Sequence, residues 1–392
     1  MRLYKTELYK LCHRKIFLIG VICIPSVLLL LFCQHIASER STINGKEYHG
    51  YEAIKADRQI TEEYKGVLTD EKLQQIAAKY GFPQKVEKYY GLTDGNFLNS
   101  FVMTYASDGY FYDWEDYRIA TKTLCIDDTA LGELRTMSGQ DIWFAYYAGW
   151  STCLESYTLA MIMVSILIIC IVSTVFSNEE QSGTKPLLFT TKEGPAKDTH
   201  AKIAAAFTLS VTLWTVITLF SLLMYGMTYG LDGLYCLAAL VLGWGEPMIP
   251  FGTLLLESTL LSLLGILELT AATLCISARC RCTFHSVSAA VLGWIMPILA
   301  FMILSGVYQI LSSSSLPYSV LRVWAWILFV VHLLIYSSPF YLTYSHAIIS
   351  ELSALSFNTG FEAYFIVPAF AVIIAILCVV GGWRRYRKHS VK

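Results

Sequence analysis

The residues of this chain with the types and spacing to do chemistry fall in or beside apolar runs. Glu257 and Glu268 lie eleven positions apart, three turns of helix, so both face one side of it. Carboxylates at membrane depth usually face a protein interior or a cavity and mark substrate or ion paths. Both are therefore candidates for a translocation pathway, although Glu257 also suits an outer interface and Glu268 a bond to a neighbouring helix. His332 is a third candidate, as partner to such an acid, against the plainer role of a ring satisfied by one hydrogen bond. Cys280-x-Cys282-x-x-His285 has metal-ligand residue types but no fourth ligand, and its cysteines are closer than structural zinc prefers, so no metal is expected. Ser182-Gly183-Thr184-Lys185 lacks the spacing of a phosphate-binding loop, so this chain is not expected to bind ATP itself. No H-E-x-x-H and no Ser/His/Asp set stands out, and Glu179-Glu180 lacks the Arg a glutamic protease would need. Catalytic residues are not expected, and the chain does not read as an enzyme.

Of the 392 residues, 55% are hydrophobic and only 15% charged, against about 25% charged in an average soluble domain. The charge is concentrated. Residues 34–154 hold 12 Lys/Arg and 18 Asp/Glu, close to soluble density, while the remainder is far too apolar for a water-covered core. A polytopic membrane protein with one polar insert follows. The net charge of −1 gives no basic surface for nucleic acid. Most of the 11 Cys, among them Cys23, Cys33, Cys170, Cys275 and Cys378, sit in apolar runs as small hydrophobes. Cys125 and Cys153, in or beside the insert, are the one candidate disulfide.

Residues 1–15 place Leu3, Tyr4, Leu8 and Leu11 at helical spacing opposite Lys5, Glu7 and Lys10, which predicts an interfacial cytoplasmic helix. A first span at 16–33 follows, retained rather than cleaved because bulky Phe32 stands where a processing site needs a small residue. The insert, 34–155, is predicted to be α-rich, with one helix running from a Thr69 cap to Gly81-Phe-Pro83 and another over 113–124. Residues 156–392 carry five more spans, at 156–177, 201–229, 256–276, 287–311 and 364–382. Lys and Arg cluster before the first span, in 178–200, in 278–285 and at the C-terminus, and are nearly absent from 230–255 and 312–363. That asymmetry puts both termini in the cytoplasm and the insert outside the cell membrane. The apolar runs 323–341 and 231–245 break this count if they cross, so they are read as re-entrant or interfacial helices. The expected fold is thus all-α and polytopic, with six transmembrane helices, an interfacial lead-in, re-entrant elements and an α-rich extracellular domain between the first two spans.

The loop 178–200 is the most informative stretch. It carries Glu179-Glu180, Gly183-Thr184, Pro186, Leu187-Leu188, Thr190-Thr191 and Gly194, then Asp198 and Lys202 at the start of the next span. Pro186 suits the first turn of a short helix and Gly194 its end. This pattern resembles the first cytoplasmic loop of ABC-2 type permeases, the membrane subunits of ATP-binding-cassette exporters. There an acid, Gly-Thr, two apolar residues and Thr-Thr precede a Lys-containing span, and Gly194-Pro195-Ala196 here replaces a more usual Arg-containing turn. The likeness extends over most of the chain outside the insert. It implies that Glu179, Glu180, Gly183, Thr184, Leu187, Leu188, Thr190 and Thr191 form a coupling helix seated in a separate nucleotide-binding ATPase subunit. It also implies that ATP and Mg bind that partner, that a second permease chain, alike or different, completes the complex, and that membrane lipid surrounds it. The implied function is export of an amphipathic compound or peptide, of the antimicrobial-peptide or drug-efflux type. Two other readings stay open: an ion-gradient-driven transporter, for which no internal repeat is evident, and a membrane sensor whose insert binds a ligand.

Overall fold

The computed structural model describes residues 2–80, 95–106, 123–184, 186, 194–244, 246–312, 318–345, 349 and 363–388. In chain order it begins with α1 (Arg2–Cys12), α2 (Lys15–Ser38), the strands β1 (Arg40–Ile43) and β2 (Lys46–His49), and α3 (Tyr51–Glu62). The insert continues with β3 (Gly66–Val67), α4 (Asp70–Tyr80), α5 (Phe97–Tyr105), α6 (Ala130–Ser138) and β4 (Trp143–Phe144). Then come α7 (Trp150–Val172), α8 (Thr174–Gln181), α9 (Gly194–Tyr229), α10 (Ala238–Leu242) and α11 (Phe251–Ser277). The last are α12 (Thr283–Ser312), α13 (Tyr318–Tyr336), α14 (Pro339–Thr343) and α15 (Ala363–Lys388).

Among the described residues six helices are long and apolar enough to cross a bilayer: α2, α7 with α8, α9, α11, α12 and α15. The chain is a multi-pass membrane protein. With 36 residues, α9 is about 54 Å long. That exceeds a hydrocarbon core of about 30 Å, so the first turns of α9 project beyond it.

The chain divides into two compact units. The first comprises Met1–Val27, Tyr157–Leu219 and Glu257–Lys392. In it α13 and α14 form a helical hairpin broken at Ser337-Ser338. Its depth can be read from its neighbours. Tyr336 and Tyr341 both pack on Phe301, midway along α12, and Phe340 packs on Trp294. Leu342 then meets Gly265, at the middle of α11, and the Ser345 hydroxyl donates to the Ser258 carbonyl at 2.8 Å, two turns back toward the start of that helix. The chain thus reaches the middle of α11 and α12 and then turns back toward the start of α11. Leu328, Phe329, Leu333, Tyr336, Leu342 and Val367 bury its apolar face against the last span, away from lipid.

The second unit comprises Leu28–Ser156 and Phe220–Leu256. Its core joins Leu73, Ile76, Ala77 and Tyr80 of α4 to Leu98, Phe101, Val102 and Tyr105 of α5, with Leu131, Leu134 and Phe144 closing it. The spacing within α4 is that of one helical face, and Thr69 caps it as expected, its Oγ1 accepting the Lys72 amide at 3.3 Å. The expected helix over 113–124 lies largely outside the described residues.

One expectation needs correction. Residues 231–245 are not an interfacial or re-entrant helix. They form a short 3₁₀ turn and the five-residue α10, and Leu237, Ala239 and Leu240 fill the core of the insert. The Tyr105 hydroxyl is shared between the Ala239 and Leu240 carbonyls (3.2 and 3.0 Å), and Leu237 bridges to Pro250. The segment is apolar because a protein core demands it. The insert is rich in helix, as expected, with two short strand pairs besides. Asn44 and Gly45, at φ 53° and 77°, make a two-residue turn that pairs Ile43 with Lys46 and Arg40 with His49, and β3 pairs antiparallel with β4. Cys125 and Cys153, the one candidate disulfide, are both free thiols, Cys125 exposed and Cys153 buried within α7.

Candidate functional site

The loop after the second span is held by an unusual break. At Ser173 the helix axis is interrupted, freeing backbone groups at a buried position. The Ser277 hydroxyl resolves most of this: it donates to the Ser173 carbonyl at 2.7 Å and accepts the amides of Phe176 and Ser177, each at 3.1 Å. One donor and two lone pairs are all that a hydroxyl has, and all are used. Ser286, in the first turn of α12, donates to the same carbonyl at 2.8 Å. The orientation of α8 is therefore fixed by hydroxyls from the end of α11 and the start of α12.

That orientation delivers Glu179 to Lys202, which is 1% exposed. The ammonium lies 2.5 Å from Asp198 Oδ2 one turn earlier on α9, 3.0 Å from Glu179 Oε1 and 3.7 Å from Glu7 Oε1. Glu7 in turn holds Lys10 at 2.6 Å. The other oxygen of Glu179, Oε2, accepts the Tyr386 hydroxyl at 2.6 Å, and the Tyr386 ring packs on Phe176. Four helices, α1, α8, α9 and α15, thus converge on one ammonium group. Beside it opens a cavity of about 260 Å³, lined by Glu7, Lys10, Arg14, Asn178, Thr184 and Lys202 among others. Arg14 reaches the Ile171 carbonyl at 3.4 Å; burial lowers its pKa from the usual range while the charge of Glu7 opposes the shift.

The Gly183-Thr184 pair has a structural meaning. Gly183 adopts φ 68°, donates its amide to the Glu180 carbonyl at 3.3 Å, and is followed by Thr184, whose amide reaches back to the Glu179 carbonyl at 3.2 Å. These two bonds are the Schellman motif that ends a helix on a left-handed residue. No atom lies within 4 Å of where a Gly183 side chain would begin, so conformation and not space requires glycine there. Glu180 is half-buried and Thr184 exposed. Leu187, Leu188, Thr190 and Thr191 lie outside the described residues, as does any helix leading up to Gly194, which itself opens α9.

The intramembrane candidates are not brought together. Glu257 is half-buried in the second turn of α11. Glu268 is 1% exposed, and its Oε2 has no hydrogen-bond partner among the described residues. The His332 ring donates through Nδ1 to the Leu328 carbonyl at 2.9 Å and lies against Phe301 and Tyr336. No ion pair joins Glu268 to His332 among the described residues.

Two members of the Lys202 cluster are absent from the sequence candidates. Glu7 was expected on the outward polar face of α1, yet it is buried with Leu11 while Leu3 and Tyr9 are exposed. Tyr386 sits in a basic tail whose charges mark topology and conceal a hydrogen-bond donor. Only the i,i+4 spacing of Asp198 and Lys202 was visible in the sequence as a pair. No protein-family model, curated protein or solved structure matches the chain.

Proposed function

We propose that this chain is the membrane subunit of an ATP-driven exporter of the ABC-2 kind, moving an amphipathic compound or peptide outward. Residues 178–200 would take the thrust from a separate ATPase, with a second permease chain completing the pathway. The observation that carries this reading is the junction at Lys202. A push on the loop displaces α8; Glu179 passes the load to α9 through Lys202, to α15 through Tyr386 and to α1 through Glu7. Through Ser277 and Ser286 it also reaches α11 and α12. A connector that merely linked two spans would not need its base tied to five other helices.

The test is to purify the tagged chain gently from its membrane. A stoichiometric soluble ATPase is expected alongside it, and Gly183→Val, which forces a β-branched residue into a left-handed conformation, should sharply reduce its recovery while the permease itself remains folded. A chain that purifies with no ATPase overturns the reading. One observation would then favour an ion-gradient-driven transporter: the unpartnered buried carboxylate of Glu268, whose replacement by Gln should abolish transport in that case.

The topology that places the insert outside is checked with a thiol the chain already has. Cys125 is exposed in the insert. It should react with a membrane-impermeant maleimide on intact cells, and the adduct should vanish in Cys125→Ser. Reaction only after permeabilisation would invert the assigned orientation.

A further inference from the structure

Within the second unit, α3 carries Lys55 and Arg58 one turn apart on one face. Between this face and Thr228, in the last turn of α9, opens a groove of about 620 Å³, lined also by Tyr51, Gln59, Glu62 and Glu63. Its charges are not balanced. Glu62 shares Lys65 (3.2 Å) with Asp232 (2.8 Å), and Glu63 meets Lys79 at 3.6 Å. Lys55 is exposed and makes no hydrogen bond or ion pair among the described residues. Arg58 donates one bond, from Nη1 to the Thr228 carbonyl at 3.1 Å, and no carboxylate pairs with it among the described residues. The guanidinium is also held in place. Gly230, at φ 81°, lets the backbone pass so close that a side chain there would begin 2.7 Å from Arg58 Nη2.

The two turns of α9 that carry Thr228 also expose apolar residues. Leu223 and Met227 are 60% and 79% exposed, and Leu231 just beyond the helix is 60% exposed. These lie at the end of a membrane-spanning helix, where hydrocarbon gives way to headgroups. Two cations with no carboxylate partner among the described residues, Arg58 held in place and Lys55 free to move, close to exposed apolar residues of the same helix end, match a molecule with an anionic head and a hydrocarbon tail. A free anion would leave the apolar face uncovered, and a cation would meet two like charges with the nearby acids already paired.

We propose that this groove binds the phosphate-bearing headgroup of an anionic amphiphile between Lys55 and Arg58, with the hydrocarbon portion lying along Leu223 and Met227. The guanidinium offers a fork of donors that suits phosphate oxygens, and Lys55 adds a mobile point charge. Neither the groove nor its test requires an ATPase, so the outcome is separable from that of the exporter reading.

The test uses the full chain in detergent with defined lipid added, read by native mass spectrometry. Wild type should retain phosphatidylglycerol over phosphatidylcholine by roughly tenfold, the scale of one charge-assisted contact. Lys55→Gln, which disturbs no contact in the protein, should remove most of that preference, and Lys55→Gln with Arg58→Gln should remove it all. Lys46→Gln, a charge loss on β2, should leave it unchanged. Millimolar inorganic phosphate should fail to displace the lipid. Equal retention of both lipids, indifference to Lys55→Gln, or displacement by phosphate alone would each overturn the proposal.

Discussion

Lys202→Met should destabilise the purified protein by about 3–5 kcal/mol, the penalty for stripping a buried ion network of its only central cation. The reason lies in what the substitution leaves behind. Met approximates the length of the lysine stem, so packing is nearly conserved, but Asp198 and Glu179 lose a counter-charge at 2.5 and 3.0 Å. Neither can turn to water easily, since Asp198 is buried and the Glu179 side chain is already engaged by Tyr386. The loss should therefore appear in the midpoint of thermal unfolding of the full chain. The control is a rescue: Lys202→Met combined with Asp198→Asn and Glu179→Gln removes the orphaned charges and should restore most of the stability. If the proposed exporter reading holds, that triple variant should nevertheless fail to export, because the ion pair from α8 to α9 is gone. A single variant within about 0.5 kcal/mol of wild type, the scale of an exposed pair, would show that the cluster holds nothing together.

The membrane architecture was legible because its signal is additive. Twenty apolar residues in a row speak for a span whatever their neighbours do, and each of the six expected spans corresponds to a helix in the structure, with ends that differ by at most six residues. The apolar run 323–341 was set apart from the spans for a different reason: a further crossing would put the basic C-terminal tail outside. Composition could not, however, separate the lipid-facing from the protein-facing case. Residues 231–245 are as apolar as an interfacial helix, yet Leu237 and Leu240 are apolar because they complete the core of the insert.

What failed to show in the sequence was pairwise. The amphipathic pattern of residues 1–15 weighs Leu3 above Glu7, but a buried lysine two hundred positions away makes the acid the inward residue. Such a contact leaves no periodic trace. The helix α8 was missed because eight residues with a polar half resemble any loop, although Gly183-Thr184, noted as part of a pattern, is its stop signal. The ribbon β1–β2 had a local signature, Asn44-Gly45, that was left unread beside the stronger helical signals.

Gly265→Val should unseat the α13–α14 hairpin. At Gly265 α11 passes close to α14: a Cβ there would lie 2.8 Å from Leu342 Cβ, 3.0 Å from the Thr343 amide nitrogen and 3.1 Å from the Leu342 carbonyl carbon. Two of these three are backbone atoms, so no side-chain rotation relieves the clash, and the hairpin as a whole must move. Close approach through a small residue is how helices associate in lipid, where the hydrophobic effect gives them no reason to pack. Overpacking of this kind costs about 1–3 kcal/mol and occasionally more. Here the upper end is expected, because displacing Leu342 also pulls Ser345 from the Ser258 carbonyl. Gly293→Val and Gly306→Val on α12 are the controls, since nothing lies within 4 Å of either position. The comparison separates a steric requirement from a general intolerance of valine in membrane helices. If all three variants unfold at the same temperature as wild type, α14 is not seated on α11, and the path of the chain at Ser337-Ser338 must be different. If Gly265→Val alone falls, the hairpin is a packed part of the membrane body, seated on α11 through a close backbone contact.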